Sequence, residues 1–169
     1  VGDWIDSLKP EMALVVGWHH LIPDELLDIC PFYGVHASLL PDLAGGAPLV
    51  WAIVLGRRKT GVSLFRLDSG IDSGPLVDQE AFTISPSERI AGLLEKANEA
   101  TLAILARSLP EIQGGTARFT CQDLSQQVVV PQRGPEDAQI QWHLGIEAVD
   151  RLVRAQGSPY PGAYAYFQG

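Results

Sequence analysis

Cysteine, methionine and basic residues are scarce in this 169-residue chain, and each shortage excludes something. There are two cysteines and one methionine. Cys30 and Cys121 stand far apart with no Cys-x-x-Cys spacing, so neither a disulfide framework nor a thiolate metal site is expected. Two structural thiols fit a reducing compartment, and a cytoplasmic location is expected. His19 and His20 are adjacent, so they cannot chelate from one helical face, and His143 stands alone. No metal is expected. No apolar run approaches the roughly 18 residues of a membrane span, which excludes a membrane-spanning helix. Lys and Arg number 12 against 20 Asp and Glu, a formal charge of −8. The basic run Arg57-Arg58-Lys59 reads as a solvated turn, so no nucleic-acid footprint is expected on these residues. The chain opens on Val1, and Trp4, Ile5 and Leu8 before Pro10 read as the end of a helix. A chain entered midway is the expectation.

What is present suits a packed domain, or one domain and part of another, with 46% hydrophobic residues. The run 12–17 reads as a buried strand ended by Gly17. Pro23-Asp24-Glu25 opens a helix that Pro31 stops, proline and acids being suited to a helix start. Residues 32–36 form a second strand, 37–46 a loop, and Pro48 begins an apolar helix ended by Gly56. Val62, Leu64 and Leu67 alternate with Ser63 and Arg66, predicting a strand over 60–67; another follows over 75–84. Ser85 to Glu88 has the form of a capping box. The helix behind it carries an apolar stripe from Ile90 to Leu105, with a break predicted at Leu109-Pro110. One or two strands are expected in 117–130, then a surface linker from Pro131 to Gln139, and an amphipathic helix over 145–155. Alternating strands and helices predict an α/β fold with a parallel sheet.

Within this frame one stretch concentrates the chemistry. His36 stands where a strand becomes a loop, and Asp72 returns from a second loop between glycines. Strand ends are where open α/β sheets place their reactive groups. Imidazole titrates near neutrality, and a carboxylate orients the ring and favours its protonated form. Asp68 reads as a turn-former. Trp18 reads as a buried structural tryptophan, and His19 and His143 as surface residues.

The sequence HASLLPDLAGGAPLVWAIVLG followed by TGVSLFRLDSGIDSG resembles the signature of formyltransferases that use 10-formyltetrahydrofolate. A second stretch, Arg133-Gly134-Pro135-Glu136-Asp137, Trp142 and LVRAQGSPYPGA, is similar to the interdomain junction of methionyl-tRNA and UDP-amino-sugar formyltransferases. The resemblance implies a partial Rossmann-like catalytic domain over 1–130, lacking its N-terminal strands. Over 131–169 it implies a linker and the start of a β-rich C-terminal domain. It also explains the ragged start.

By that resemblance, a formyl group moves from the folate co-substrate to a primary amine, with His36 as proton-transfer group and Asp72 as its acid. The family's asparagine, which helps hold the oxyanion, falls at Gly34, a departure; Tyr33 and His20 are the candidate substitutes. Ala44 and Gly46 replace arginines common in the family. His20, Leu21, Ile22, Asp68, Ser69, Gly70 and Ile71 are implied to border the pterin, where glycine lets backbone approach a flat ring. The acceptor is methionyl-tRNA or a nucleotide-linked amino sugar, with tRNA contacts expected only through a basic C-terminal module that these residues do not supply. Two other readings use the same residues: a formyl-folate hydrolase, with water replacing the amine, and a non-catalytic folate-binding relative.

Overall fold

The computed structural model describes residues 2–18 and 20–167, so the expectation for His19 lies outside it. The chain runs α1 (Gly2–Leu8), β1 (Ala13–Val16), α2 (Asp24–Leu27), β2 (Phe32–His36), β3 (Ala44–Gly45) and α3 (Pro48–Val54). It continues through β4 (Lys59–Arg66), β5 (Leu76–Thr83), α4 (Ile90–Gln113), β6 (Val129–Val130) and α5 (Ile146–Ala155). No helix among these residues is long and apolar enough to cross a membrane.

The fold is α/β, with a central sheet in the order β1-β2-β4-β5 flanked by helices. Parallel pairing extends only to β1 and β2; β2 with β4 and β4 with β5 are antiparallel. The connection explains the departure from an all-parallel sheet. The chain leaves β2 at His36, and the seven-residue α3, about 10 Å long at 1.5 Å per residue, is too short to carry it back along the sheet. It therefore re-enters β4 beyond the end it left, with Ser63 opposite His36. Short β3 and β6 pair parallel in a separate two-stranded ribbon within stretches read as loop or as longer strand.

Side chains alternate across a strand, so the sheet has two distinct faces. Tyr33, Val62 and Leu64 belong to the main core, packed with Leu49, Val50 and Ile53 of α3 and Ile90, Leu93, Ala97 and Ile104 of α4. The opposite face carries His36 and Gly34 of β2, paired with Ser63 and Phe65 of β4. Here Phe65, Leu40 and Ala44 form a smaller core with Leu67 and Leu76. Strand β4 is thus buried on both faces, and its Ser63 is fully buried.

Two helix limits differ from expectation. The α4 helix starts at Ile90, after a turn in which the Glu88 N–H donates to Ser85 O at 3.0 Å and the Ser85 N–H to Glu88 Oε2 at 3.4 Å. The Glu88 carboxylate also holds Lys96, so only half of the expected box forms. Pro110 lies inside α4 and does not end it. It sits in the last turns, where one lost backbone bond is outweighed by Leu105 and Ile112 packing on the core. In residues 117–130 the only regular strand is β6, alongside a single bridge between Thr120 and Leu76. Beyond α5, the described residues contribute one bridge, Gln139 with Tyr164.

Candidate active site

The site face is built from the loop after β2. Ser63 Oγ donates to Ser38 O at 2.7 Å and accepts from the Leu40 N–H at 3.0 Å and from Gln79 Nε2 at 2.8 Å. Gln79 Nε2 also donates to Leu40 O at 2.9 Å. Ser38 Oγ closes the turn on Asp42 O at 2.6 Å. The Ser38 carbonyl and both backbone groups of Leu40 thus find partners on β4 or β5, as buried polar groups must. The turn delivers Leu43 with φ of 56°, in the left-handed region that costs a branched side chain energy.

That strained residue aims its carbonyl at His36. The His36 Nε2 lies 2.8 Å from Leu43 O. A carbonyl only accepts, so Nε2 carries the hydrogen and the second ring nitrogen, Nδ1, is left for other work. Nδ1 lies 3.4 Å from Asp72 Oδ2. The pair is mostly enclosed, with the His36 side chain 10% and the Asp72 side chain 22% exposed. Asp72 Oδ2 also accepts the Gly45 N–H at 2.7 Å, which ties the carboxylate to β3. Two loops separated by a helix and a strand thus meet over one face of the sheet, with Nε2–H held by the Leu43 carbonyl and Nδ1 facing a carboxylate to which it donates once protonated.

Asp72 itself has φ of 50° and needs external support. Gln122 provides it: its Nε2 donates to Asp72 O at 2.8 Å and Gly74 O at 2.6 Å. Gln127 Nε2 holds the neighbouring Ile71 O at 2.9 Å. Gly74 is compelled at its position, since a Cβ would sit 1.8 Å from Arg66 O. Ser63, Gln79, Gln122 and the Leu43 carbonyl were not singled out from sequence. The one available signal was Ser63, a hydroxyl between the apolar Val62 and Leu64 of β4.

The remaining expected site residues divide. Asp68 makes an Asx turn, its Oδ1 accepting the Gly70 N–H at 3.0 Å and Ser73 Oγ at 2.8 Å, which is the turn-forming role expected. Ser69 and Gly70 are exposed in this turn, and Ile71 is 48% exposed. His20 is exposed and edge-on to Trp18, with ring centroids 5.6 Å apart. Leu21 is 68% exposed and Ile22 partly buried. Trp18, expected in the core, is 60% exposed. The loop carrying it leaves β1 at the end of the sheet where β2 delivers His36, since Val16 pairs with Val35.

Gly34 points to the same face as His36, two residues along the strand. A Cβ there would lie 2.7 Å from Leu67 Cδ2 and 3.0 Å from Phe65 Cε1. Apolar side chains already occupy the space an asparagine would use. The two candidate substitutes are placed differently. Tyr33 packs on the opposite face, stacked near Phe119 with centroids 6.5 Å apart, and His20 pairs with Trp18. Ala44 and Gly46, where arginines were noted as absent, lie against β6. Ala44 is fully buried, and a Cβ on Gly46 would meet Gln132 Cα at 2.3 Å. Among the described residues no group of His, Cys, Asp and Glu is arranged to hold a metal.

Residues 1–109 match the formyl transferase family, and residues 133–169 match the formyl transferase C-terminal domain. The chain belongs to the formyl transferase family. It is 32% identical over 168 residues to the methionyl-tRNA formyltransferase of Koribacter versatilis (strain Ellin345), covering 98% of this chain and 53% of that protein. The chain thus spans about half the length of that curated relative. Among solved structures, HypX from Aquifex aeolicus in complex with tetrahydrofolic acid superposes with a TM-score of 0.80 at 24% identity, over 93% of this chain and 27% of HypX. A 4-N formyltransferase from Francisella tularensis superposes with a TM-score of 0.86 at 17% identity, over 97% of this chain and 68% of that one. At such identities the likeness establishes a shared fold. The family is one of formyl transfer, and this chain carries both of its matched segments.

Proposed function

We propose that this chain carries the proton-transfer centre of an enzyme that moves a formyl group from 10-formyltetrahydrofolate to a primary amine. The observation that carries the reading is the placement of His36, its Nε2–H held by Leu43 O at 2.8 Å and its Nδ1 standing 3.4 Å from Asp72 Oδ2. The co-substrate supplies a formyl group on a nitrogen that leaves once it is protonated. An amine attacking that carbon must lose a proton. With Nε2–H committed to Leu43, His36 Nδ1 is the lone pair that takes it, and Asp72 stabilises the resulting imidazolium. The same nitrogen then gives the proton up to the leaving group. One ring serves as base and acid in turn.

The residues fit a flat heteroaromatic co-substrate in one respect that counts. Leu21 and Ile71 are large apolar side chains left 68% and 48% exposed on the two loops assigned to the pterin, and Trp18, on the same loop as Leu21, is exposed as well. Apolar side chains held out in loops are natural partners for a ring face. His20, Ile22, Asp68, Ser69 and Gly70 complete the proposed border. Two free thiols, Cys30 and Cys121, fit work in a reducing cytoplasm.

The acceptor is proposed to be methionyl-tRNA or a nucleotide-linked amino sugar. The methionyl-tRNA formyltransferase relative supports the first, and the acidic surface, at a net charge of −8, favours the second. Gly34 supports a second reading of the same site. Without a side-chain donor at this place the oxyanion loses stabilisation typically worth about 100- to 1,000-fold in rate, which suits a folate-binding relative with weak or no transfer. Incubating the complete gene product with 10-formyltetrahydrofolate and a panel of amines separates the readings. Amine-dependent formylation supports the transferase. Free formate without amine indicates hydrolysis, and folate binding without turnover indicates the degenerate relative.

A further inference from the structure

Away from His36, a cavity of about 750 Å³ opens where the C-terminal end of α3, the start of β4 and helix α5 converge. Four arginines line it, Arg57, Arg58, Arg151 and Arg154, with Glu147 and Asp150 the acids among them. This is a third of all the Lys and Arg in the chain, gathered in one place on a molecule of net charge −8.

Arg57 and Arg154 are closely paired with carboxylates, Arg151 only at longer range, and Arg58 with none among the described residues. Arg57 Nη2 pairs with Asp42 Oδ1 at 2.9 Å, and Arg154 Nε with Asp150 Oδ2 at 2.8 Å. Arg151 donates from Nε to Val54 O at 3.1 Å, while its nearest carboxylate, Glu147, stands 3.8 Å off and is 88% exposed. Arg58 is exposed and makes no ion pair among the described residues. The backbone holds this cluster together. Arg154 Nη1 donates to Glu88 O at 2.8 Å, and Arg151 lies across Gly56, where a Cβ would touch its Cζ at 3.8 Å. Each anchored guanidinium keeps further N–H donors free, in the planar fork that matches phosphate oxygens.

We infer that this cavity binds the phosphate groups of a ligand, with Arg58 and Arg151 as its principal contacts. The site is independent of His36 and Asp72, so the inference stands or falls apart from the proposed reaction.

Calorimetric titration of the full chain with inorganic pyrophosphate tests it. Saturable binding is expected, weakened at least about tenfold by Arg58→Glu and unaffected by Arg118→Glu, an exposed arginine elsewhere. Glu147→Gln removes a competing carboxylate and should tighten binding about two- to threefold, a gain that misfolding cannot imitate. Raising the salt concentration should weaken binding throughout. If UDP displaces pyrophosphate and single-stranded RNA does not, the phosphate comes from a small nucleotide; the reverse result assigns it to a polynucleotide. Absence of saturable binding, or equal affinity in wild type and Arg58→Glu, overturns the inference.

Discussion

A Cβ placed on Gly34 would lie 2.7 Å from Leu67 Cδ2. Leu67 and Phe65 crowd the first carbon that an asparagine would add there. Gly34→Asn alone should therefore overpack this face and lower stability by about 1–3 kcal/mol. Leu67→Ala in the same chain should recover part of that loss by making room. Urea unfolding of the single and double variants measures both. A Gly34→Asn variant as stable as the parent would show that Leu67 does not occupy the space.

Gln122 is expected to act through Asp72. Its Nε2 bridges the carbonyls of Asp72 and Gly74, and Gln122→Ala leaves both without that partner. A loss of about 1–3 kcal/mol in stability is expected, since unmade hydrogen bonds to buried groups cost that much. If the turn positions Asp72 for the reaction, kcat should fall while KM for the folate stays near the parent value. Loss confined to KM would make Gln122 a ligand contact instead.

Much of this was legible in the sequence, and the exceptions have physical causes. The strands around His36, helix α3 and the turn at Asp72 announce themselves through apolar runs, Pro48 and closely spaced glycines. The pairing of His36 with Asp72 was suggested by two loops at strand ends and by the resemblance, since no local pattern encodes a contact between residues 36 positions apart. The alternation around β4 announced a strand without showing that Ser63 is enclosed. It is buried because the loop from Ser38 to Asp42 folds over it and uses its hydroxyl. Trp18 was misplaced because an indole suggests a core, but this one sits on a loop past the end of β1. Gln122 and Gln127 carry no sequence signature, being side-chain clamps on carbonyls about 50 positions away. Pro110 failed as a helix stop because packing of the α4 stripe overrides a single missing N–H.

Stability should fall in acid through two carboxylates that hold α4. Burial pushes Asp78 upward, but hydrogen bonds from Arg107 and Ser108 outweigh it and hold the group below its ordinary range. The Lys96 hydrogen bond does the same for Glu88. A carboxyl group depressed in the folded state contributes its stability above its unfolded titration, near pH 4, and loses it as pH falls through the lower folded value. Thermal unfolding should thus show a plateau near neutrality and a declining midpoint below about pH 4. In Arg107→Ala the acid slope should be shallower. An identical slope in that variant would remove Asp78 from the explanation.

Ser63→Ala tests whether the hydroxyl organises the loop that presents Leu43 to His36. Three hydrogen bonds meet at Ser63 Oγ, and removing it leaves the Leu40 N–H and Ser38 O unpaired in a buried place. A loss of about 1–3 kcal/mol is expected, with a fall in turnover larger than any change in KM. Ser63→Thr keeps the hydroxyl and should retain more activity than Ser63→Ala; equal activity in the two would argue against this role.

The central claim is that His36 and Asp72 act as one proton-transfer unit in formyl transfer. Its most direct test is single-turnover transfer from 10-formyltetrahydrofolate to the accepted amine, comparing the complete wild-type protein with Asp72→Asn and His36→Ala. The account predicts that each variant still binds the folate while the transfer rate falls by about 100- to 10,000-fold, the usual worth of a positioned acid–base group. It further predicts that the double variant is no slower than the worse single one, because the two act together. Transfer at the wild-type rate in either single variant would contradict it.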